Sequence, residues 1–331
     1  LYKEADNMIK SKLVRIDRPI ARIPNLAIHL SRGPHDKPGF DPNVQEHCQA
    51  FLSTHSSLLS LPPLSSQATS RVHPCLAALI SETASIDPNS ILDMELQLMD
   101  VQPSCLGGAA SEFLYSGRLD NLCSSYQSLR ALIDNSTEDV IDTQTTITMV
   151  MLFDHEEVGS SSGQGAGSSL FMNTFRLILS QLGDPSNLTL TRSLHHSFII
   201  SADMAHALHP NYAGKHDPTL SPKLNSGLVI KHNANQRYAT NSISAVLFRE
   251  FALLANVPVQ EFAVRSDMGC GSTIGPIMAT LTGILTVDVG SPQLSMHSIR
   301  EMMGTEDVHS GYLHFKSALA NHAAVAGRIQ L

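Results

Sequence analysis

From about residue 105 onward, this chain of 331 residues alternates short, β-rich apolar runs with stretches of helical periodicity, and no other property of the sequence restricts its fold as much. The predicted helices cover residues 120–134, 164–182 and 240–256. The predicted strands cover residues 145–153, 197–202, 227–232, 262–266 and 285–289. Because helices that connect strands cover the faces of their sheet, we predict an α/β sandwich around a mixed sheet.

Side chains with catalytic potential follow three of these predicted strands. Glu156 and Glu157 come just after the first strand, Asp203 after the second, and His297 after the last. A fourth acid, Asp120, opens the first predicted helix. Strand ends are where α/β enzymes place their chemistry, so the pattern indicates an active site.

Each of these residues also has a purely structural interpretation. Asp is a preferred helix N-cap, so Asp120 needs no ligand to explain it. Two adjacent glutamates, such as Glu156 and Glu157, most often lie solvated in a loop. Asp203 can simply end a strand, and His297 can be a hydrogen-bonded loop histidine. Taken one at a time, the residues leave both interpretations open.

As a set, Asp120, Glu157, Asp203 and His297 have the ligand chemistry of a two-metal hydrolase. Carboxylate oxygens and an imidazole suit zinc, manganese or cobalt. In such sites a carboxylate bridges two ions roughly 3.5–4 Å apart, and Asp120 is the candidate bridge. Successive side chains of an extended segment point to different faces, which leaves Glu156 free to act as the general base.

Eight segments, which include residues 154–160 (DHEEVGS), resemble the aspartyl aminopeptidases, a family of co-catalytic di-metal peptidases, and they follow the family order. The segments are residues 22–30, 118–121, 154–160, 201–207, 209–212, 236–241, 273–276 and 290–301. The resemblance implies a metal-dependent aminopeptidase that removes N-terminal Asp or Glu from peptides, with zinc as the expected metal. It also implies assembly into dimers and larger homo-oligomers.

The resemblance implies the metal roles residue by residue. Asp120 would bridge two divalent ions, Glu157 and His297 would complete one site, and Asp203 would belong to the other. Glu156 would be the catalytic base.

Four further residues are candidate substrate contacts, and two of them, Lys231 and His29, match family positions. Lys231 would meet the acidic side chain of the substrate, since one ammonium in a desolvated pocket discriminates a carboxylate from an alkyl group. His29, on a dimerisation domain, would reach the active site of a neighbouring subunit. Tyr238 and His206 would line the substrate site. Alternatives stay open: Lys231 as a snorkelling lysine, His29 as a buried strand histidine, and His206 as support for a metal ligand.

The chain departs from the family pattern at one metal ligand. The family's remaining ligand is a histidine in an upstream His-Thr-Asp type segment, and no His-x-Asp occurs in the first hundred residues. The chain therefore reads as N-terminally truncated, with the second metal site depleted. The histidines in that part of the chain have polar or Pro-rich neighbours and offer no replacement: His35, His47, His55 and His73.

This departure leaves two alternative functions. One is a catalytically impaired assembly subunit, and the other is a related di-metal peptidase of different specificity. The presence of Lys231 favours acidic specificity over the second alternative.

The resemblance also divides the chain. Residues 1–13 would be a remnant of the N-terminal part of the catalytic domain, residues 14–104 an inserted, mainly β dimerisation domain, and residues 105–331 the catalytic domain. Within the insertion, residues 33–70 are rich in Pro, Ser, His and Gly, which is typical of loops or weak structure.

Composition excludes some classes of function. A net charge of −8 without a basic stripe argues against nucleic acid as a partner. The 5 cysteines are odd in number and form no Cys-x-x-Cys, so we expect reduced thiols in the cytosol. No apolar run approaches 18 residues and no signal-peptide pattern opens the chain, so we expect no membrane span and a cytoplasmic location, although a targeting segment upstream of residue 1 stays open.

Overall fold

The computed structural model describes residues 1–4, 6–30, 42–60, 72–184 and 186–329. They form two compact units, Leu1–Gln102 and Pro103–Leu331. His35 and the segments 33–41 and 61–70 of the Pro- and Ser-rich stretch lie outside the described residues.

Regular structure is sparse in the described part of the first unit. Strands β1 (Tyr2–Lys3) and β2 (Ile9–Lys10) pair in an antiparallel manner, and isolated bridges join Tyr2 to Ile91 and Arg22 to Phe51. The α-helices are α1 (Val44–His47), α2 (Ser56–Leu59) and α3 (Pro74–Ala84), and a 3-10 turn covers Pro88–Ser90. Residues 1–13 belong to this unit, and the dimerisation role of residues 14–104, with its mainly β character, stays a prediction.

The second unit is built around a four-stranded sheet in the order β5-β9-β7-β8. The strands are β5 (Phe198–Ala202), β7 (Leu228–His232), β8 (Val259–Ala263) and β9 (Leu285–Gly290). β5 runs parallel to β9 and β7 parallel to β8, whereas β7 and β9 are antiparallel. The predicted mixed sheet is therefore confirmed.

Helices cover both faces of this sheet. On one face, α8 (Ser242–Ala255) and α10 (Thr305–Ala326) bury Phe248, Phe251 and Phe315 against the strands, with Ala131 of α4 (Leu119–Asn135) in the same cluster. On the other face, a second cluster forms under α6 (Leu170–Gln181) and α9 (Ile274–Thr282).

Strand β5 contributes to both clusters. Ile200 packs with the cluster under α8, and its neighbour Ile199 packs with the cluster under α6. This division follows from the alternation of side chains along a strand. The second unit is therefore the predicted α/β sandwich.

A second sheet continues from the first, in the order β3-β4-β11-β10-β6. Its strands are β3 (Cys105–Gly107), β4 (Phe113–Ser116), β6 (Ala205–His206), β10 (Pro292–Leu294) and β11 (Glu301–Gly304). The N–H of Asp203 donates to the carbonyl of Val289 at 2.8 Å, and the N–H of Ala205 donates to that of Ser291 at 2.9 Å. Asp203 therefore lies where the chain passes from one sheet to the other.

The remaining helices of this unit are short. They are α5 (Glu138–Ile141) and α7 (Asn187–His195), together with 3-10 turns at Glu156–Val158 and Pro210–Lys215. None of the helices in the described part of the chain is both long enough and apolar enough to span a bilayer.

The prediction of a strand at residues 145–153 is wrong. These residues pair with no strand in the described part of the chain. A strand requires a partner for its backbone groups, and sequence alone does not supply one. The two-residue alternation that suggested the strand is nevertheless real. Met149, Met151 and Phe153 pack into the cluster under α6, while Leu152 between them is exposed.

Two other predicted elements shift in position. The helix predicted at 164–182 begins at Leu170, because residues 164–169 form turns in which the N–H of Gly167 donates to the carbonyl of Ser160. The strand predicted at 262–266 is Val259–Ala263, where two polar residues weaken the apolar pattern.

Candidate active site and metal centre

Asp120 lies at an irregular helix start. Arg118, in the left-handed region at φ 58°, precedes α4, and Asp120 itself has non-helical dihedral angles of φ −80° and ψ 110°. No side chain caps this helix, so the interpretation of Asp120 as an N-cap is wrong. The next residue, Asn121, donates its side-chain N–H to the carbonyl of Ala202 at 2.6 Å, which ties the start of α4 to the end of β5.

The two glutamates lie in a tight turn. Glu156–Val158 forms a single 3-10 turn between left-handed residues, His155 at φ 61° and Gly159 at φ 103°. The His155 ring contacts the Ser162 hydroxyl at 2.7 Å, which closes the loop. Glu156 is half-buried and Glu157 is exposed, so the neighbouring carboxylates occupy different environments.

Asp120, Glu157 and His297 converge. One ligand atom from each lies within 4.8 Å of the others. Nε2 of His297 is 3.2 Å from Oδ2 of Asp120 and 3.4 Å from Oε1 of Glu157. Two carboxylates and one imidazole form a donor set that fits zinc.

The exposure of the three candidate ligands suits a catalytic site. The side chain of Asp120 is 8% exposed, whereas those of Glu157 and His297 are 60% and 62% exposed. The site is therefore anchored on the protein side and open on the solvent side, as a catalytic metal site must be. It is the one group of three or more potential ligands found in the part of the chain that the structure describes.

Asp203 lies close to this group but outside it. Its Oδ2 is 3.8 Å from Nζ of Lys231, whose side chain is 4% exposed. Burial, followed by the neighbouring carboxylates of Asp203 and Glu157, raises the pKa of Asp120 to about 9. Burial and the same neighbours also raise the pKa of Glu156. A cation among these carboxylates would offset their mutual repulsion.

The proposed substrate residues are grouped around Phe262. Nζ of Lys231 is 5.4 Å from the centroid of the Tyr238 ring. Tyr238 and His206 each meet Phe262 edge-on, with centroid distances of 6.4 and 5.9 Å. Desolvation and the Lys231 ammonium lower the pKa of His206, and burial raises that of the Tyr238 phenol. One buried cation thus sits among aromatic rings.

His29 lies in the first unit and is exposed. Its apolar neighbours Leu26, Ile28 and Leu30 are exposed as well, so the interpretation as a buried strand histidine is wrong. A turn in which the N–H of Leu30 donates to the carbonyl of Ala27 replaces the strand. The role of His29 at a neighbouring active site stays a prediction.

The other histidines of the first unit that the structure describes have local roles. His73 accepts from the N–H of Cys75 and so caps α3. His47 accepts from the N–H of Asn43, and His55 contacts the Ser57 hydroxyl.

Sequence reasoning missed two buried acids next to the site. Glu301 accepts the backbone N–H groups of Asp120 and His297. Asp288 accepts the backbone N–H of Ala239, beside Tyr238, at 2.6 Å. An acid inside an apolar strand, such as Asp288 in β9, was the available signal.

The family of this chain follows from its similarity to known proteins. Residues 1–318 match the model of the aminopeptidase I zinc metalloproteases (M18). The chain belongs to this family. A relative from Ricinus communis named probable aspartyl aminopeptidase is 47% identical over 339 residues, which is 96% of this chain and 69% of the relative.

Solved structures of M18 aminopeptidases have the same fold. The Ape4 and Nbr1 complex, solved by cryo-EM, matches with a TM-score of 0.91 and 39% identity, over 100% of this chain and 63% of that one. The S. cerevisiae mApe1 dodecamer matches with a TM-score of 0.82 and 27% identity, over 99% of this chain and 69% of that one. The chain therefore spans about two thirds of the length of these relatives.

Proposed function

We propose that this chain is a zinc-dependent aminopeptidase that removes N-terminal Asp or Glu from peptides. The observation that carries the proposal is the convergence of Asp120, Glu157 and His297 beside the half-buried Glu156. Membership of a family of zinc metalloproteases and a relative named as a probable aspartyl aminopeptidase support it.

Four residues of the chain would hold the metal. Asp120, Glu157 and His297 would bind one ion, and Asp203 would bind a second ion together with Asp120 as the bridge. When bound, zinc polarises the peptide carbonyl and makes water a stronger nucleophile at neutral pH. Manganese or cobalt would suit the same donors. Since the proposed second site has only two of these ligands, we expect it to bind more weakly.

Glu156 would transfer the protons. It lies next to a proposed ligand but in a different environment, so its carboxylate can remain free of the metal. It would take a proton from the attacking water and return it to the leaving amine. Of the two adjacent glutamates, Glu157 would bind the metal and Glu156 would act as the base.

Lys231 would set the specificity. Its ammonium is almost fully buried, with the Asp203 carboxylate and the Tyr238 ring as neighbours. An acidic side chain of the substrate would meet this charge, whereas a neutral side chain would leave it without a new partner. His206 and Tyr238 would line the same pocket.

Self-association is part of the proposal. A solved relative is a dodecamer, which supports a homo-oligomer for this chain. In such an assembly His29 would reach a neighbouring active site from the inserted domain. The proposed location is the cytoplasm.

A second candidate is an impaired subunit that serves assembly. The observation that favours it is the single three-ligand group in the described part of the chain. Such a subunit would bind metal and assemble without cleaving peptides.

A panel of peptides tests the proposal. We expect the purified chain to cleave peptides with N-terminal Asp or Glu faster than matched peptides with N-terminal Ala or Leu. A chelator would abolish cleavage, and added zinc would restore it. Equal rates for acidic and neutral peptides would contradict the specificity, and oligomers that bind zinc without cleaving any peptide would favour the impaired subunit.

A further inference from the structure

A single buried carboxylate joins two of the three converging ligands. Glu301, the first residue of β11, is 2% exposed. Its Oε2 accepts the backbone N–H of Asp120 at 3.1 Å, and its Oε1 accepts the backbone N–H of His297 at 2.9 Å. The side-chain amide of Gln293, on the adjacent strand β10, donates to Oε1 at 3.3 Å. Both oxygens of Glu301 are therefore engaged by protein donors.

The two backbone segments that Glu301 holds have no regular structure of their own. Asp120 lies in the non-helical first turn of α4, and His297 has a left-handed backbone at φ 66°. A non-glycine residue in that region is held there by its surroundings. Hydrogen bonds to a buried carboxylate are about twice as strong as neutral ones, so Glu301 can supply that restraint.

We propose that Glu301 is a positioning residue that fixes the separation of Asp120 and His297 and thereby sets the affinity of the first metal site. The inference rests on the proposed metal role of these two residues. Glu301 is outside the converging group itself, so it acts through the backbones of the ligands. Groups that orient metal ligands in this way typically affect metal affinity by about 10–100-fold.

The substitution Glu301→Gln tests the connection with almost no change in shape. A carboxylate accepts at both ends, whereas an amide accepts at one end and donates at the other. In the variant, an N–H donor would therefore face the N–H of either Asp120 or His297. One of the two ligand backbones must move, whichever way the amide turns.

The measurement is zinc affinity, by competition with a chromophoric chelator, for the wild-type chain, Glu301→Gln and Glu306→Gln. Glu306 is an exposed acid five positions along the chain, so it provides the same chemical change away from the ligands. We expect the zinc Kd to rise by about 10–100-fold in Glu301→Gln and to stay unchanged in Glu306→Gln. With saturating zinc, Glu301→Gln should regain activity with an unchanged KM.

A second variant covers the case in which Glu301→Gln does not fold. Glu301→Asp keeps the charge but is one methylene too short to reach both N–H groups, so its zinc Kd should rise as well. A folded Glu301 variant with the wild-type Kd would overturn the inference, as would a wild-type chain without measurable zinc binding. A wild-type chain that binds zinc but cleaves no peptide would instead contradict the proposed function alone.

Discussion

At the scale of single residues, the site combines one buried cation with several carboxylates. Lys231 is almost fully desolvated, and its nearest charged neighbour, Asp203, is itself a proposed ligand. An ammonium in this position is costly unless it has anionic partners. A substrate carboxylate would be such a partner, which ties specificity to the electrostatics of one side chain even though the chain carries a net charge of −8.

Replacement of Lys231 by Met should remove this selectivity. We expect kcat/KM for a peptide with N-terminal Asp to fall by about 100-fold, because an ionic hydrogen bond contributes roughly 1.5–3 kcal/mol. The value for N-terminal Ala should change much less. Lys316→Met is the matched control, since Lys316 lies over the Tyr312 ring at 5.9 Å on α10. Parallel losses for both peptides would argue against a specificity role.

His314 provides a pH test of stability that is independent of the site. It stacks on Phe248 with a centroid distance of 3.8 Å, and its Nε2 donates to the Phe248 carbonyl at 2.7 Å. Burial lowers the pKa of His314 from 6.5 to about 4. The unfolded chain therefore binds the proton more readily, so the free energy of unfolding should fall as the pH drops from 6.5 to 4.

The loss attributable to His314 should be about 3 kcal/mol. It would appear as a shallower pH dependence of urea unfolding in His314→Gln than in the wild-type chain. His195→Gln, on the exposed side of α7, serves as the control. An identical pH dependence in wild type and His314→Gln would show that this histidine does not contribute.

At the scale of elements, the start of α9 lies in close contact with Asp288 of β9. Asp288 of β9 is fully buried and accepts from the Thr273 hydroxyl at 2.6 Å. A Cβ added to Gly275, in the first turn of α9, would lie 2.1 Å from Oδ2 of Asp288. The absence of a side chain at Gly275 is what lets the helix start above that carboxylate.

Gly275→Ala should therefore destabilise the chain. In an open helix, this change stabilises by up to about 1 kcal/mol. Here the methyl group would overlap a buried, hydrogen-bonded carboxylate, and overpacking of this kind costs roughly 1–3 kcal/mol. The thermal midpoint should fall, whereas Gly163→Ala, which meets no atom within 4 Å, should leave it nearly unchanged. A raised midpoint for Gly275→Ala would contradict the packing described.

The elements that sequence predicted well are those with a strong local period. The helices at 120–134 and 240–256 recur as α4 and α8, the second with Asn241 and Ser244 forming a reciprocal cap. The strand at 145–153 failed because pairing is a long-range property that its alternation does not contain. Local patterns therefore located α4, α8 and the strands β5, β7 and β9, but they could not show whether residues 145–153 have a strand partner.

The candidate site was predictable only in part. The proposed ligands Asp120, Glu157 and His297 lie close to the ends of predicted elements, so the sequence pattern could single them out. Glu301 could not be predicted, since its partner Asp120 is 181 positions away and is contacted through its backbone. A contact made through the backbone does not depend on the type of the contacted residue, so the sequence pattern does not indicate it.

At the scale of the whole molecule, the second unit contains the described residues that form the proposed metal site, and it contains Lys231. Its two sheets meet at Asp203, so one junction brings together strand ends and helix starts from distant parts of the chain. Asp120 and His297 therefore come into contact only when the second unit is folded. Catalysis and the folding of this unit should therefore be lost together when the core is disrupted.

The central claim is that Glu156 acts as the base beside a metal held by its neighbours. The direct test is hydrolysis of a peptide with N-terminal Asp by the wild-type chain and by Glu156→Gln, with zinc content measured in the same samples. Glu138→Gln, on the exposed helix α5, is the matched control. We predict that Glu156→Gln loses about 100-fold or more of the rate with its zinc content unchanged. A zinc-loaded Glu156→Gln that cleaves as fast as the wild-type chain would contradict the account.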